Sequence, residues 1–483
     1  MSETRALRQG PQLLTYPDSL GGDLRAIRDL LDGPLAGLFG GIHVLPPFPS
    51  SGDRGFAPIT YDRIDPRFGD WDDIAALARD HEVLLDLMVN HISRQSPEFR
   101  DFERRGRAAP TADLFITLDK IWPDGSPPAD DVARIFLRKP HDPFSTITVE
   151  ETGEREAIWT TFGFGDRVEQ IDLDLGSPAT RELIGRWFAF FASNGVRIVR
   201  LDAVGYVVKE PGTSCFMVEP AIWEVLGWLR DTAARFGLAI LPEVHDVYAT
   251  HERLAAHGYW TYDFVLPGLV LHAFEQGDAV RLATHLERSP ERQFTTLDCH
   301  DGIPVRPDLE GILSLAEMRQ LTDGVLARGG NVNRILGGTD DGVDVHQLNI
   351  TYYSALGEDD ERYVAARAIQ LFARGIPQVY YVGLLAGPND HAAVASSGEG
   401  RAINRHDYTL AEVEAALARP VVRRLLELLR LRGSHPAFHG ALEVEAPDPR
   451  HLRMTRRAGP DRCVLEVDLG SGECLVTAAE PAG

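Results

Sequence analysis

Eight short apolar segments, separated by stretches with helical periodicity, constrain the fold of this chain most strongly. Most are continuous apolar runs, which are typical of parallel strands covered on both faces. The predicted strands are Gln12–Tyr16, Gly41–Leu45, Val83–Val89, Val196–Leu201, Leu238–Pro242, Tyr262–Leu266, Phe294–Leu297 and Gln378–Val382. Predicted helices are Leu24–Leu31, Trp71–Arg79, Thr180–Ser193, Ile222–Phe236 and Arg362–Phe372. Eight β/α repeats predict an α/β fold, a (β/α)8 TIM barrel, whose chemistry lies at the carboxyl ends of its strands.

Two connections are too long for simple loops between barrel elements, and such loops are usually functional. Residues 91–170 are predicted to form an inserted subdomain B, and residues 301–355 a second insertion of helix and loops. The second contains the capping-box pattern Ser314-Leu-Ala-Glu317, which predicts a helix to about Ala327, and then a glycine-rich loop expected to move, Gly337–Gly342. The barrel itself is assigned to residues 1–90, 171–300 and 356–432.

The last fifty residues change pattern. Short alternating runs such as Arg462–Asp468 and Glu473–Thr477 predict a small antiparallel β domain over residues 433–483. Four cysteines in 483 residues are too few for a disulfide framework, so we expect four reduced thiols. The start MSETRALRQG has no apolar core, and no apolar run reaches membrane-spanning length. We therefore expect a cytoplasmic protein without a signal peptide.

The charge balance limits the partners. With 49 Lys and Arg against 72 Asp and Glu, the formal net charge is −23. Such a chain repels the phosphates of nucleic acids and of anionic membranes, so neither is expected to bind. An anionic substrate must instead meet a local cluster of basic side chains.

Charged and polar side chains stand where the predicted strands end. Carboxylates beside apolar strands are costly unless they are paired, so three of them at three strand ends are poorly explained by structure alone. The carboxylates are Asp202, Glu243 and Asp301, accompanied by His91, Arg200 and His300. If the barrel prediction holds, all six converge on one barrel mouth.

This set suits glycosyl transfer with retention, in which a nucleophilic carboxylate and an acid/base carboxylate lie about 5–5.5 Å apart. Arg200 is two residues before Asp202, hence on the same side of the strand, and is expected to lower the pKa of that nucleophile. Glu243 follows an apolar run, and desolvation is expected to raise its pKa as the acid. Asp301 is expected to hold sugar hydroxyls and stabilise the oxocarbenium-like state.

Four segments resemble the signature regions of the α-amylase superfamily: Asp86-Leu-Met-Val-Asn-His91, Arg197-Ile-Val-Arg-Leu-Asp202, Glu243 and His300-Asp301. Further stretches resemble its sucrose phosphorylase branch, among them Leu14-Thr-Tyr16, Gly40-Gly-Ile-His43, Gly212-Thr-Ser-Cys-Phe-Met217, Asn349-Ile-Thr-Tyr-Tyr-Ser354, Pro377-Gln-Val-Tyr-Tyr-Val-Gly383 and Ile403-Asn-Arg-His406. These motifs span nearly the whole barrel.

The resemblance implies a role for each matching residue. Asp202 is the expected nucleophile, Glu243 the acid/base and Asp301 the stabiliser of the transition state. The glucosyl unit is expected to contact Asp53, Phe56, His91, Arg200, His300 and Arg405, with Phe56 stacking on the sugar ring. Members of this branch work without a metal or other cofactor, so none is expected here.

The chain departs from sucrose phosphorylases in two loops that meet the acceptor in those enzymes. Their Arg-Pro-Arg-Pro-Gly loop corresponds to Leu137-Arg-Lys-Pro-His141, and their Tyr-Gln pair to His346-Gln347. The residues expected to bind acceptor or phosphate are Arg138, Lys139, His141, Phe162, Tyr206, Asp344, His346 and Gln347. Arg and Lys form charge-assisted hydrogen bonds to phosphate oxygens.

Two interpretations of these loops compete. The sucrose 6(F)-phosphate phosphorylases, a sister group, are similar in having His before the Gln, which favours a phosphorylated donor. Alternatively, Lys and His still hold inorganic phosphate in a plain sucrose phosphorylase. Phosphorylases of other glucosides and a sucrose hydrolase are further alternatives, whereas a non-catalytic scaffold is disfavoured because all three carboxylates are present. We expect only small-molecule partners and a monomer or homodimer.

Overall fold

Eight parallel strands form one sheet in the computed structural model of this protein, which describes residues 6–137, 141–163, 168–335 and 343–478. They are β1 Gln12–Thr15, β2 Gly41–Val44, β3 Glu82–Met88, β4 Val196–Asp202, β5 Ala239–Pro242, β6 Thr261–Asp263, β7 Gln293–Thr295 and β8 Ile376–Tyr380. Their order in the sheet is β6-β7-β8-β1-β2-β3-β4-β5, so paired strands follow one another in the chain. This is the order of a nearly closed (β/α)8 barrel, and the predicted fold is confirmed.

The prediction for β6 was wrong at its carboxyl end. The strand stops at Asp263, and Leu266 opens the helix Leu266–Gln276. One carboxylate oxygen of Asp263 accepts hydrogen bonds from the backbone N–H groups of Val265 at 3.2 Å and Leu266 at 3.0 Å. A side-chain acceptor of this kind satisfies the first N–H groups of a helix, which turns an apolar run from strand to helix.

The chain divides into two compact units, one built around Val44–Val244 and the other around Leu7–His43 and the described residues from His245 onward. The first unit pairs β4 between β3 and β5, with Arg200 opposite Asp86 and Asp202 opposite Met88. Its helices are Trp71–Leu77, Pro97–Arg105, Leu118–Ile121, Ala129–Arg134, Pro178–Ser193 and Ala221–Arg235. Two short antiparallel strand pairs lie within residues 91–172: His91–Ser93 with Gln170–Asp172, and Phe144–Thr148 with Arg155–Trp159.

The second unit contains β6, β7, β8 and β1 in that order. Its helices include Leu24–Asp32, Tyr248–Ala256, Leu266–Gln276, Val280–Arg288, Leu315–Ala327, Asp360–Phe372, His391–Ser397, Leu410–Leu417 and Pro420–Ser434. The capping box predicted at Ser314 and Glu317 is present, because each residue's side chain accepts from the other's backbone N–H. Strands Ile303–Pro304, Val345–Asn349 and Asn331–Arg334 form a small antiparallel sheet.

The predicted carboxyl-terminal antiparallel β domain is also confirmed. Its four strands, Ala441–Asp448, His451–Ala458, Asp461–Asp468 and Cys474–Ala478, pair in chain order. All four cysteines carry free thiols, as expected. Among the helices formed by the described residues, none has the length and apolar composition that crossing a membrane requires.

Candidate active site

Arg200 lies at the centre of the charged cluster at the end of β4. Its Nη1 atom lies 2.5 Å from Asp86 Oδ1 and 2.9 Å from Asp202 Oδ1, and its Nη2 atom lies 3.7 Å from Glu243 Oε1. Alternation along β4 puts Arg200 and Asp202 on one side of the strand, and the β3–β4 register brings Asp86 beside them. One guanidinium therefore faces three carboxylates.

The backbone fixes Glu243 in this cluster. Its N–H donates to the carbonyl of Leu201 at 3.0 Å, and its Oε2 accepts from the N–H of Ala203 at 3.0 Å. Ala203 adopts a left-handed backbone conformation with φ of 52°, which costs free energy for a residue with a Cβ. Strained backbone of this kind concentrates at functional sites.

The cluster also contains a pKa shift that the sequence did not predict. Burial chiefly raises the pKa of Asp202, and Glu243 and Asp86 add to the rise while Arg200 opposes it, for a net change from 3.8 to about 8. Arg200 lowers the pKa of Asp202, as expected, but desolvation and two neighbouring carboxylates outweigh this one guanidinium, so the net shift is upward. The charge of Glu243 contributes to the raised pKa of Asp202, which therefore keeps a proton near neutral pH.

Phe56 and His91 lie on the same unit. The carbonyl of Phe56 accepts from Nε2 of His91 at 2.9 Å, and the Arg200 guanidinium carbon lies 5.8 Å from the Phe56 ring centre. Burial lowers the pKa of His91, so its ring is neutral and its Nδ1 is an acceptor. Within the described residues, that buried Nδ1 has no hydrogen-bond partner. It can accept a hydrogen bond from a bound hydroxyl.

Asp53 and an aromatic group complete the first unit's part of the predicted site. Asp53 lies in a short 3-10 turn and has a left-handed backbone with φ of 45°. The Phe162 ring lies edge-on to His91 at 5.4 Å and to Tyr206 at 5.1 Å. The structure thus joins His91, Phe162 and Tyr206 in one contiguous wall.

In the second unit, Asp301 lies among cations. Arg401 Nη1 is 2.5 Å from its Oδ1, Arg405 Nη2 is 3.8 Å from the same oxygen, and His300 Nε2 is 3.9 Å from Oδ2. Burial opposes the charge, but His300, Arg401, Arg405 and His245 outweigh it and hold the pKa of Asp301 well below its usual value. Asp301 is therefore ionised throughout the physiological pH range.

Two histidines of the second unit are oriented by fixed acceptors. His245 stacks on Phe264 with ring centres 4.1 Å apart, and its Nδ1 contacts Asp308. His346 donates from Nδ1 to the carbonyl of Arg306 at 2.7 Å, and its ring lies edge-on to His245 at 5.7 Å.

The remaining predicted acceptor residues have different surroundings. The buried Nε2 of Gln347 has no partner in the part of the chain that the structure describes. Asp344 forms an ion pair with Arg334. His141 is half-buried, and its Nδ1 donates to the carbonyl of Asp142 at 2.8 Å. Arg138, Lys139 and the loop Gly337–Gly342 lie outside the described residues.

Sequence reasoning missed several residues that the geometry adds. Asp86 is a charge inside an otherwise apolar strand, and that position is a readable signal. His245 follows Glu243 by two residues. Arg401 and Asp308 carry no comparable signal, because they reach Asp301 and His245 through folding across about a hundred and about sixty residues respectively.

Two carboxylates at the ends of adjacent barrel strands, one of them with a raised pKa, can make and break glycosidic bonds. Residues 8–248 match the family model described as the alpha amylase catalytic domain, and the chain belongs to the α-amylase family. Within it the protein is an enzyme, a glycoside phosphorylase of the sucrose phosphorylase branch, as its relatives show.

Two of these relatives and one solved structure illustrate the similarity. Sucrose 6(F)-phosphate phosphorylase of Thermoanaerobacterium thermosaccharolyticum is 51% identical over 96% of both chains. Sucrose phosphorylase of Streptococcus mutans is 44% identical over 92% of both. A crystal structure of sucrose 6F-phosphate phosphorylase from Thermoanaerobacter thermosaccharolyticum superimposes with a TM-score of 0.97 and 49% identity, covering 100% of this chain and 99% of that one.

Proposed function

We propose that this enzyme cleaves sucrose 6(F)-phosphate with inorganic phosphate, giving α-glucose 1-phosphate and fructose 6-phosphate. The observation that carries the proposal is the 51% identity, over nearly the full length, to an enzyme named for that donor. His346 beside Gln347 supports it, since the group that acts on this donor is similar in having His before the Gln.

The first step forms a covalent intermediate. Glu243 gives a proton to the glycosidic oxygen while a carboxylate oxygen of Asp202 attacks the anomeric carbon. The bond to the fructosyl oxygen breaks, fructose 6-phosphate leaves, and a β-glucosyl-enzyme remains. The raised pKa of Asp202 beside Glu243 supports this step, because it keeps within the pair the one proton that the acid must deliver at neutral pH.

The second step transfers the glucosyl group from Asp202 to inorganic phosphate. Glu243, now ionised, takes a proton from inorganic phosphate, whose oxygen attacks the anomeric carbon from the face that the fructosyl group left. The ester to Asp202 breaks, and α-glucose 1-phosphate is released with net retention. The pair of Glu243 and Asp202 then again holds one proton.

Other residues bind and orient the glucosyl unit. Asp301, kept ionised by its cationic neighbours, stabilises the positive charge that develops on the sugar ring. His91 accepts a hydroxyl hydrogen bond at its open Nδ1, and Phe56 stacks on the ring. The proposed glucosyl contacts are Asp53, Phe56, His91, Arg200, His300 and Arg405.

The acceptor subsite is the part of the proposed site that distinguishes sucrose 6(F)-phosphate from sucrose. We assign it Arg138, Lys139, His141, Phe162, Tyr206, Asp344, His346 and Gln347, with the first four contributed by an inserted subdomain of residues 91–170. In a chain of net charge −23, such a basic group is suited to a sugar phosphate and to the inorganic phosphate that follows it.

Plain sucrose phosphorylase is the second candidate, favoured by the 44% identity to the Streptococcus mutans enzyme. Measuring kcat/KM for sucrose and for sucrose 6(F)-phosphate decides between them. Two charge-assisted bonds of about 1.5–3 kcal/mol each predict a preference of roughly 10²–10⁴-fold for the phosphorylated donor. Equal values would replace this proposal by the second candidate, and glucose release without inorganic phosphate would indicate a hydrolase.

A further inference from the structure

Three arginine side chains surround the short segment Phe372–Gly375, which connects a helix of the barrel to β8. Arg374 lies within this segment, Arg432 belongs to the helix Pro420–Ser434, and Arg456 lies on a strand of the carboxyl-terminal sheet. Arg432 and Arg456 donate hydrogen bonds to main-chain carbonyls of the segment, at Phe372, Ala373 and Gly375. We call these three side chains the arginine cluster.

Within the ranges that the structure describes, the three positive charges of the arginine cluster are offset only by Glu291, which pairs with Arg374 and whose charge also acts on Arg432 and Arg456. Arg432 is 3% exposed and Arg456 2% exposed. Among the described residues, neither forms an ion pair with a carboxylate. Arg374 pairs with Glu291 at 3.1 Å, but Glu291 is 70% exposed and largely screened by solvent. Buried charges are normally paired, so this imbalance requires an explanation.

Arg432 also has donors without acceptors. Its Nη2 donates to the carbonyl of Gly375 at 2.9 Å, and its guanidinium carbon lies 5.0 Å from the Phe438 ring centre. Its Nε and Nη1 are buried and have no hydrogen-bond partner in the described part of the chain. Burial, with the charge of Arg456, lowers the pKa of Arg432 to about 9, which still leaves it protonated at neutral pH.

We propose that the unpartnered N–H groups of Arg432 bind a small inorganic anion of halide size, chloride under ordinary conditions. Water can satisfy a donor, but only an anion also offsets the charge of the arginine cluster. The depth of the site favours a halide over a sugar phosphate. The anion then stabilises the contact between the barrel segment and the carboxyl-terminal sheet, independently of the donor that the enzyme cleaves.

Thermal unfolding of the full-length enzyme tests this site. Sodium gluconate is replaced stepwise by sodium chloride at constant ionic strength, and we expect Tm to rise by about 2 °C at ten times the dissociation constant and then to keep rising with the logarithm of the chloride concentration. Arg432→Met, which removes the guanidinium but keeps an unbranched apolar side chain, is expected to abolish the rise. Arg430→Met is the matched control, since Arg430 is exposed on the same helix, and it should retain the rise.

A bromide soak gives a second readout that needs no variant. Anomalous scattering is expected at one position within hydrogen-bond distance of Arg432. A wild-type Tm that is indifferent to the exchange of gluconate for chloride, or a bromide map that is empty at Arg432, would overturn the proposal. Inorganic phosphate should stabilise wild type and Arg432→Met alike through the active site. A phosphate effect lost in Arg432→Met would overturn the assignment to a halide.

Discussion

The Nδ1 atom of His245 lies 3.2 Å from both carboxylate oxygens of Asp308, which is fully buried. The second histidine near this carboxylate, His251, has its Nε2 4.0 Å from Asp308 and its Nδ1 3.1 Å from the Thr261 hydroxyl. A carboxylate that accepts from Nδ1–H fixes the tautomer and orientation of an imidazole. Asp308 thereby positions His245, whose charge contributes to the low pKa of Asp301.

Asp308→Asn is therefore expected to reduce kcat/KM about tenfold or more, because a hydrogen bond to a charged partner is weakened. A positioning role also shifts the pH profile, whereas general destabilisation does not. Steady-state kinetics across pH, with Tm measured in parallel, separate the two. Glu252→Gln, at an exposed carboxylate of a nearby helix, is the control. It should leave both the pH profile of kcat/KM and the Tm unchanged.

Asp202→Asn and Glu243→Gln are each expected to lower turnover by roughly 10³-fold or more, since one removes the nucleophile and the other the proton donor. The variants differ with α-glucosyl fluoride, whose leaving group needs little protonation. Glu243→Gln should recover glucosylation with this donor, and Asp202→Asn should not. If either variant kept more than about a tenth of wild-type activity on the natural donor, its assigned role would be wrong.

The raised pKa of Asp202 predicts a specific alkaline limit. The pair must hold one proton, and that proton is lost as the pH rises through about 8. We expect kcat/KM for sucrose, which has no titrating phosphate, to fall about tenfold per pH unit above that value. With α-glucosyl fluoride, Glu243→Gln should show no such fall, because its nucleophile only has to be ionised. An alkaline limb that persists in this variant would contradict the assignment.

Phe56→Ala should weaken every glucosyl donor by a similar factor, about tenfold, because stacking on the glucose ring is common to all of them. Phe56→Tyr preserves the ring and is the matched control. The measurement is kcat/KM for sucrose, sucrose 6(F)-phosphate and α-glucosyl fluoride. A change confined to the preference between acceptors would place Phe56 in the other subsite.

His346→Tyr restores the residue expected in sucrose phosphorylases and should narrow the preference for the phosphorylated donor. The effect should arise mainly from slower cleavage of sucrose 6(F)-phosphate, since a charge-assisted contact worth about 1.5–3 kcal/mol is removed. His439→Tyr, at an exposed histidine, is the control. An unchanged ratio of the two kcat/KM values would remove His346 from the recognition of the phosphate.

Much of the fold could be predicted because its signals are local. Continuous apolar runs mark strands buried on both faces, and all eight predicted strands are present. The error at β6 has a local cause that hydropathy does not record, namely the cap that Asp263 provides to the helix at Leu266. The capping box at Ser314 was predicted correctly because both of its partners lie within four residues of one another.

The sequence by itself determined the barrel, the carboxylates at its strand ends and the family, since residue type and spacing along the chain encode each of them. Only the tertiary structure decided how those groups are charged. The pKa of Asp202 is raised by burial and by Asp86 across the β3–β4 register. The pKa of Asp301 is lowered by its neighbour His300 and by Arg401 from a distant turn. Desolvation and Coulomb interactions depend on distance through space, which spacing along the chain does not specify.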